Sequence, residues 1–135
     1  MGEKEIRQKL RELAIAGAKN SHSPYSQAKI GSAVLTTDGH YFNGGNIENS
    51  SFGGTVCAER VTIWKAVSEG HKRISKIYVY SNAGWPPCGL CRQVMSEFAA
   101  PDLEIIVGDK DGKETVYTFA EIFPLAFTPE HLENR

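Results

Sequence analysis

Thr55-Val56-Cys57-Ala58-Glu59-Arg60, Ile74-Ser75-Lys76-Ile77-Tyr78-Val79-Tyr80 and Pro87-Cys88-Gly89-Leu90-Cys91-Arg92 follow one another as a helix start, a strand and a second helix start. Thr55 is a plausible N-cap for a helix carrying Cys57, Arg60, Val61, Trp64 and Val67 and ending at Gly70. The β-branched and aromatic run 74–80 suits a buried strand, and Trp85-Pro86-Pro87 breaks the chain before a helix from Cys88 to Phe98. Cys57 therefore precedes the other cysteines by one helix plus one strand, the length of a βαβ return. Two helix N-termini can then meet at one end of a sheet, each presenting thiols.

Working outward, Ile6, Leu10, Leu13, Ala14 and Gly17 recur at helical steps and predict a helix over about 3–19. Residues 20–26 form a loop by composition, and 29–36 read as a strand. Asp38-Gly39 signals a hairpin whose return strand runs through Tyr41 and Phe42 toward Asn46. A Gly-rich loop spans Ser50 to Gly54. Beyond the second cysteine helix, Leu103–Val107 and roughly Glu114–Tyr117 are strands around an Asp111-Gly112 turn. A short helix near Phe119–Ile122 ends before Pro124, and the tail is polar. The order α-β-β-α-β-α-β-β-α, with a hairpin followed by βαβ crossovers, predicts an α/β fold. The expected form is a three-layer α/β/α sandwich around a mixed five-stranded sheet. No repeat or linker interrupts residues 1–135, which read as a single domain.

Composition narrows the function. With 41% apolar residues, 23% charged residues and a net charge of -1, the chain has no basic excess for neutralising phosphates. It also has no apolar run of the ~18 residues needed to span a bilayer. Its charged N-terminus does not resemble a secretion signal, so a cytoplasmic location is expected. Three cysteines are an odd number for a disulfide framework and fit reduced thiols better.

Cys88 and Cys91, at i and i+3 of a helix start, share one face, and helix N-termini favour thiolate. Three thiolates leave the fourth position of a tetrahedral zinc open, which separates a catalytic zinc from a closed structural one. Glu59 is close enough to Cys57 to reach that position and take a proton from water there. Zinc with three thiolates carries one surplus negative charge, and Arg60, three residues after Cys57, can offset it by donating to sulfur. Taken singly, the Cys-x-x-Cys is also a redox pair or half a zinc ribbon. However, a thioredoxin-type motif follows the first strand near the N-terminus, and no histidine stands at motif spacing from these cysteines.

Together the segments Pro24-Tyr25-Ser26, Gly31, Asn46-Ile47-Glu48-Asn49, Cys57-Ala58-Glu59-Arg60, Pro87-Cys88-Gly89-Leu90-Cys91-Arg92-Gln93 and Pro124-Leu125-Ala126-Phe127 resemble the small, homotetrameric cytidine deaminases. The zinc-deaminase signature is a known one. The resemblance runs in order from about residue 24 to 132. It implies one zinc per chain held by Cys57, Cys88 and Cys91, with Glu59 as catalytic proton carrier. It further implies substrate contacts from Asn46, Glu48, Ala58 and Phe127, the first two to sugar hydroxyls, and active sites completed by neighbouring subunits. The implied reaction is hydrolytic deamination of cytidine or 2′-deoxycytidine, a step of pyrimidine salvage, on a free nucleoside without nucleic acid or membrane as partner.

Two positions depart from the family pattern. Ala28 stands where a phenylalanine usually packs on the substrate, and a lost base contact of this kind is worth about 1–3 kcal/mol. Phe52, followed by Gly53-Gly54, stands where a tyrosine is common. The two glycines are similar to those of blasticidin S deaminases, so a modified cytosine nucleoside stays open as an alternative substrate.

Overall fold

The computed structural model describes residues 1–133; Asn134 and Arg135, the last two residues of the expected 1–135 domain, lie outside the described residues. Helix α1 (Glu3–Lys19) is followed by strands β1 (Gly31–Thr36) and β2 (Tyr41–Gly45), helix α2 (Ala58–Ser68), strand β3 (Ile74–Tyr80) and helix α3 (Gly89–Phe98). Strands β4 (Ala99–Gly108) and β5 (Glu114–Thr118) and two short helices, α4 (Phe119–Ile122) and α5 (Pro129–Glu133), complete the chain.

The five strands lie in the order β2-β1-β3-β4-β5. Only β3 and β4 pair in parallel; the other neighbours are antiparallel. The sheet is mixed, as the element order predicted.

Alternation along the strands divides the core into two layers. Ala33, Tyr78 and Ile106 face α1 and pack with its Leu10 and Ala14. Their neighbours Val34, Ile77, Ile105 and Val107 face the other way and pack with Ile63 of α2 and Cys91 and Met95 of α3. Helices cover both faces, and the α/β/α sandwich follows.

Glycine sets how closely α1 approaches the sheet. A Cβ at Gly31 would stand 1.7 Å from the Ala14 carbonyl oxygen, and one at Gly45 would stand 2.3 Å from that of Gly17. Helix and strand backbones touch there with no side chain between them.

The topology explains where the cysteines meet. β2 and β3 both run antiparallel to β1, which lies between them, so they point the same way. Their C-terminal ends share one end of the sheet, and α2 and α3 begin there.

Several boundaries differ from those expected. Thr55 does not cap α2. Val56 is held extended by an antiparallel bridge to Ile47, so the helix begins two residues later with Cys57 as its N-cap. The Thr55 side chain instead accepts a hydrogen bond from Asn49 N at 3.1 Å. β4 starts at Ala99, earlier than Leu103, because a register irregularity between Ile74 and Lys76 lets pairing resume after Pro101. The tail, read as merely polar, forms α5, where Thr128 N donates to His131 Nδ1 at 3.0 Å.

Candidate active site

Cys57 and Cys88 are the N-caps of α2 and α3, in extended backbone conformation, and neither spends its side chain on a capping bond. Both thiols are therefore free to turn toward each other at the positive ends of two helices. Cys57 Sγ and Cys88 Sγ are 3.6 Å apart, far beyond a disulfide bond of about 2 Å. Cys91, one turn into α3, is fully buried beneath them. All three sulfurs lie within 4.8 Å of one another. Tetrahedral zinc with Zn–S bonds of about 2.3 Å needs sulfurs about 3.8 Å apart, so the donor set fits the ion.

The protons are distributed unevenly over this cluster. A hydrogen bond from Cys91, with help from Arg60 and Cys88, holds the Cys57 thiol down at about 5. Cys91, donating to Cys57 and buried beside Glu59, is pushed upward. One thiolate thus forms readily within the cluster, and a cation is what would let its neighbours follow.

Arg60 Nη2 donates to Cys57 Sγ at 3.5 Å, and the guanidinium carbon lies 5.9 Å from the centre of the Trp64 ring. Burial works against its charge, but hydrogen bonds to the Cys57 and Cys91 sulfurs more than offset this and raise its pKa. Its Nε is buried without a partner among the described residues. Glu59, in the first turn of α2, is 3% exposed. Burial, reinforced by the negative charge of Cys57, pushes its carboxyl up to about 7. Such a group takes up and releases protons at neutral pH. Ala58, the first residue of α2, is wholly buried.

Asn46 and Glu48 reach the centre through the backbone. Ile47 lies between them and exchanges both hydrogen bonds with Val56 at 2.9 Å, next to Cys57. Their side chains hold the loop that follows α1. Asn46 Oδ1 accepts from Ile30 N at 2.9 Å, and its Nδ2 donates to the Ala28 carbonyl at 2.8 Å. Glu48 Oε1 accepts from the backbone of Tyr25 and Ser26, and Oε2 from the Ser26 hydroxyl. The Ser26 bonds hold the Glu48 carboxyl below its ordinary range. Ser26 carries no signal of this role in the local sequence. Its partner is 22 positions away, and no local pattern reveals the pairing.

Phe127 does not join the cluster. It is 54% exposed, stacks on His131 at 5.5 Å between ring centres, and its carbonyl accepts from Gln93 of α3 at 2.8 Å. Ala28 lines a separate cleft of about 490 Å³ with Ser26, Tyr80, Ser81 and Trp85. Phe52 packs edge-on against Tyr25 at 5.8 Å.

A mixed sheet with helices on both faces, a zinc-fitting trio of thiols at two helix starts and a buried glutamate beside them together define a candidate centre for metal-activated water with a proton carrier at hand. The family model for the cytidine and deoxycytidylate deaminase zinc-binding region matches residues 4–107, and the chain belongs to that family. A cytidine deaminase of Halalkalibacterium halodurans is 40% identical over 130 residues, covering 95% of this chain and 98% of that protein. A probable cytidine deaminase of Dictyostelium discoideum is 41% identical over 128 residues, covering 90% of this chain and 86% of that protein. The crystal structure of cytidine deaminase from Burkholderia pseudomallei superposes with a TM-score of 0.86 at 35% identity, covering 94% of this chain and all of that one. These relatives support cytidine deamination and not the blasticidin S alternative, which is set aside.

Proposed function

We propose that residues 1–135 act as one domain that hydrolyses the C4 amino group of cytidine and 2′-deoxycytidine, giving the uracil nucleoside and ammonia. The observation that carries this reading is the Glu59 carboxyl, buried beside three thiols gathered at two helix starts.

Cys57, Cys88 and Cys91 would hold one zinc, which when bound would supply a Lewis acid that activates water. Glu59 takes one proton of the attacking water and delivers it to N3 of the base, then carries the remaining C4 hydroxyl proton to the amino nitrogen, so that the C4–N bond breaks, ammonia leaves and the C4 carbonyl forms. Arg60 donates to the Cys57 sulfur and offsets the surplus negative charge of three thiolates. Ala58 offers the base its backbone N–H, one of the donors that a helix start leaves without an intrahelical partner. Glu48, with lone pairs left on its carboxylate, and Asn46, with one amide hydrogen left, face the sugar. No helix among the described residues is long and apolar enough to cross a membrane, and no basic excess favours nucleic acid. A cytoplasmic enzyme of pyrimidine salvage acting on free nucleosides fits both facts, as do three free thiols. The expected result is one zinc at the three cysteines of each chain and release of ammonia from cytidine and deoxycytidine. Zinc binding with no ammonia from either nucleoside would reject the proposal.

We further propose a homotetramer in which Phe127 reaches a neighbouring subunit's site. Trp64, Trp85, Leu90, Leu125 and Phe127 are all exposed, and neighbouring copies of the chain would bury them. Sedimentation should give about 60 kDa, four times the 14.9 kDa chain, and a smaller species would contradict the assembly.

A further inference from the structure

At the opposite end of the sheet the β1–β2 hairpin meets the end of α2. Asp38 and His40 flank Gly39, whose φ of +88° is the left-handed conformation this tight turn needs. His71 arrives from α2 through a glycine-terminated helix end. Gly70 sits at φ +95°, Gly70 N donates to the Val67 carbonyl at 3.0 Å, and His71 N donates to the Ala66 carbonyl at 2.9 Å. The hairpin is tied to the same segment by Thr37 N, which donates to the Arg73 carbonyl at 3.0 Å.

These two turns bring three ligand types together. His71 Nδ1 is 2.7 Å from Asp38 Oδ2, and His40 Nδ1 is 3.6 Å from Asp38 Oδ1. The two imidazole rings lie 4.1 Å apart between centres, tilted by 30°. One ligand atom from each residue falls within 4.8 Å of the other two. We propose that Asp38, His40 and His71 form a second site for a divalent transition cation, with zinc as its natural occupant, on the surface away from the cysteines.

The chemistry matches. Two imidazole nitrogens and a carboxylate oxygen suit a borderline cation such as zinc, and bonds of about 2.0–2.2 Å require ligand atoms roughly 3.3–3.6 Å apart. The present spacings bracket that value. The Asp38 and His40 side chains, each 56% exposed, have room to adjust by the remaining fraction of an ångström. Each ring must carry its hydrogen on Nε2 so that the Nδ1 lone pair faces the ion.

The surroundings are those of a supported ligand set. The Thr36 hydroxyl donates to Asp38 Oδ1 at 2.5 Å and orients the carboxylate, and Phe42 backs the His71 ring at 5.4 Å. Arg73, which could compete for Asp38, is turned to the Ala99 carbonyl at 3.4 Å. Three protein ligands leave positions for water, as expected of an open surface site. The 11-residue helix α2 separates this site from Cys57 by about 16 Å, so the two ions would not share ligands.

The test is equilibrium dialysis of the zinc-loaded enzyme against free zinc, with metal counted per chain. The wild type should hold two equivalents. His40→Ala and His71→Ala should each hold one and keep full deaminase activity. Losing an outer partner of a metal ligand already costs about 10–100-fold in affinity, and loss of a ligand should cost at least as much. Because His40 is on the surface, His40→Ala does not put folding at risk. Asp38→Asn, which preserves the turn, should weaken the second equivalent to the same degree. A wild type that holds a single equivalent, unchanged by His40→Ala and His71→Ala, overturns the proposal, as does a second equivalent that survives both histidine substitutions. The histidine variants keep all three cysteines, so the equivalent they retain counts the zinc of that centre by itself, and a single equivalent lost on His71→Ala would place the failure at the cysteines.

Discussion

Glu59→Gln leaves the zinc of the three cysteines in place and lowers kcat by roughly 10²–10⁴-fold, the range set by loss of a positioned general acid–base. The glutamine keeps the size and hydrogen-bonding shape of the glutamate but neither takes nor gives a proton at neutral pH. The burial that pushes Glu59 up to about 7 is a property of the site, and the substitution leaves it intact. Metal content and thermal unfolding should both stay near the wild type, because the three thiols are untouched. A variant with wild-type turnover would remove Glu59 from proton transfer. A variant that lost its zinc would instead make the side chain part of the metal site's support.

The second large effect is on stability. Gly31→Ala places a methyl group 1.7 Å from the Ala14 carbonyl oxygen and 2.6 Å from Ala18 N, both backbone atoms of α1. No rotamer change relieves such a clash, so the helix must lift from the sheet. Overpacking in a core costs about 1–3 kcal/mol and sometimes more, and a clash with backbone belongs at the top of that range. Urea denaturation should show a lowered midpoint with an unchanged slope. Gly53→Ala is the control, since a Cβ at Gly53 meets nothing within 4 Å. Its midpoint should stay close to the wild type. Equal midpoints for all three proteins would mean that α1 does not need its close approach to β1.

How much was legible beforehand depends on the range of the interaction. The helix over 3–19, the Asp38-Gly39 hairpin and the strand 74–80 follow from period and turn chemistry, which act over a few residues. The structure returns them as Glu3–Lys19, a β1–β2 hairpin and Ile74–Tyr80. Thr55 failed as a cap for the opposite reason. Ile47, eight positions upstream, takes the backbone of Val56 into a bridge that outweighs the local preference of a threonine.

The metal chemistry is written in residue types. Three thiols, a glutamate and an arginine at that spacing answer the needs of a water-activating zinc, whatever fold carries them. Tertiary structure decided what separation in the chain hides. Placing β1 between two strands that run alike set α2 and α3 at the same sheet end, and only then do Cys57 and Cys88 come within 3.6 Å. The Ser26–Glu48 pair and the meeting of His71 with Asp38 arise in the same way, from hydrogen bonds closed across 22 and 33 positions. Local sequence sets the conformation of each segment and the chemistry it carries; which distant segments become neighbours is a property of the packed whole.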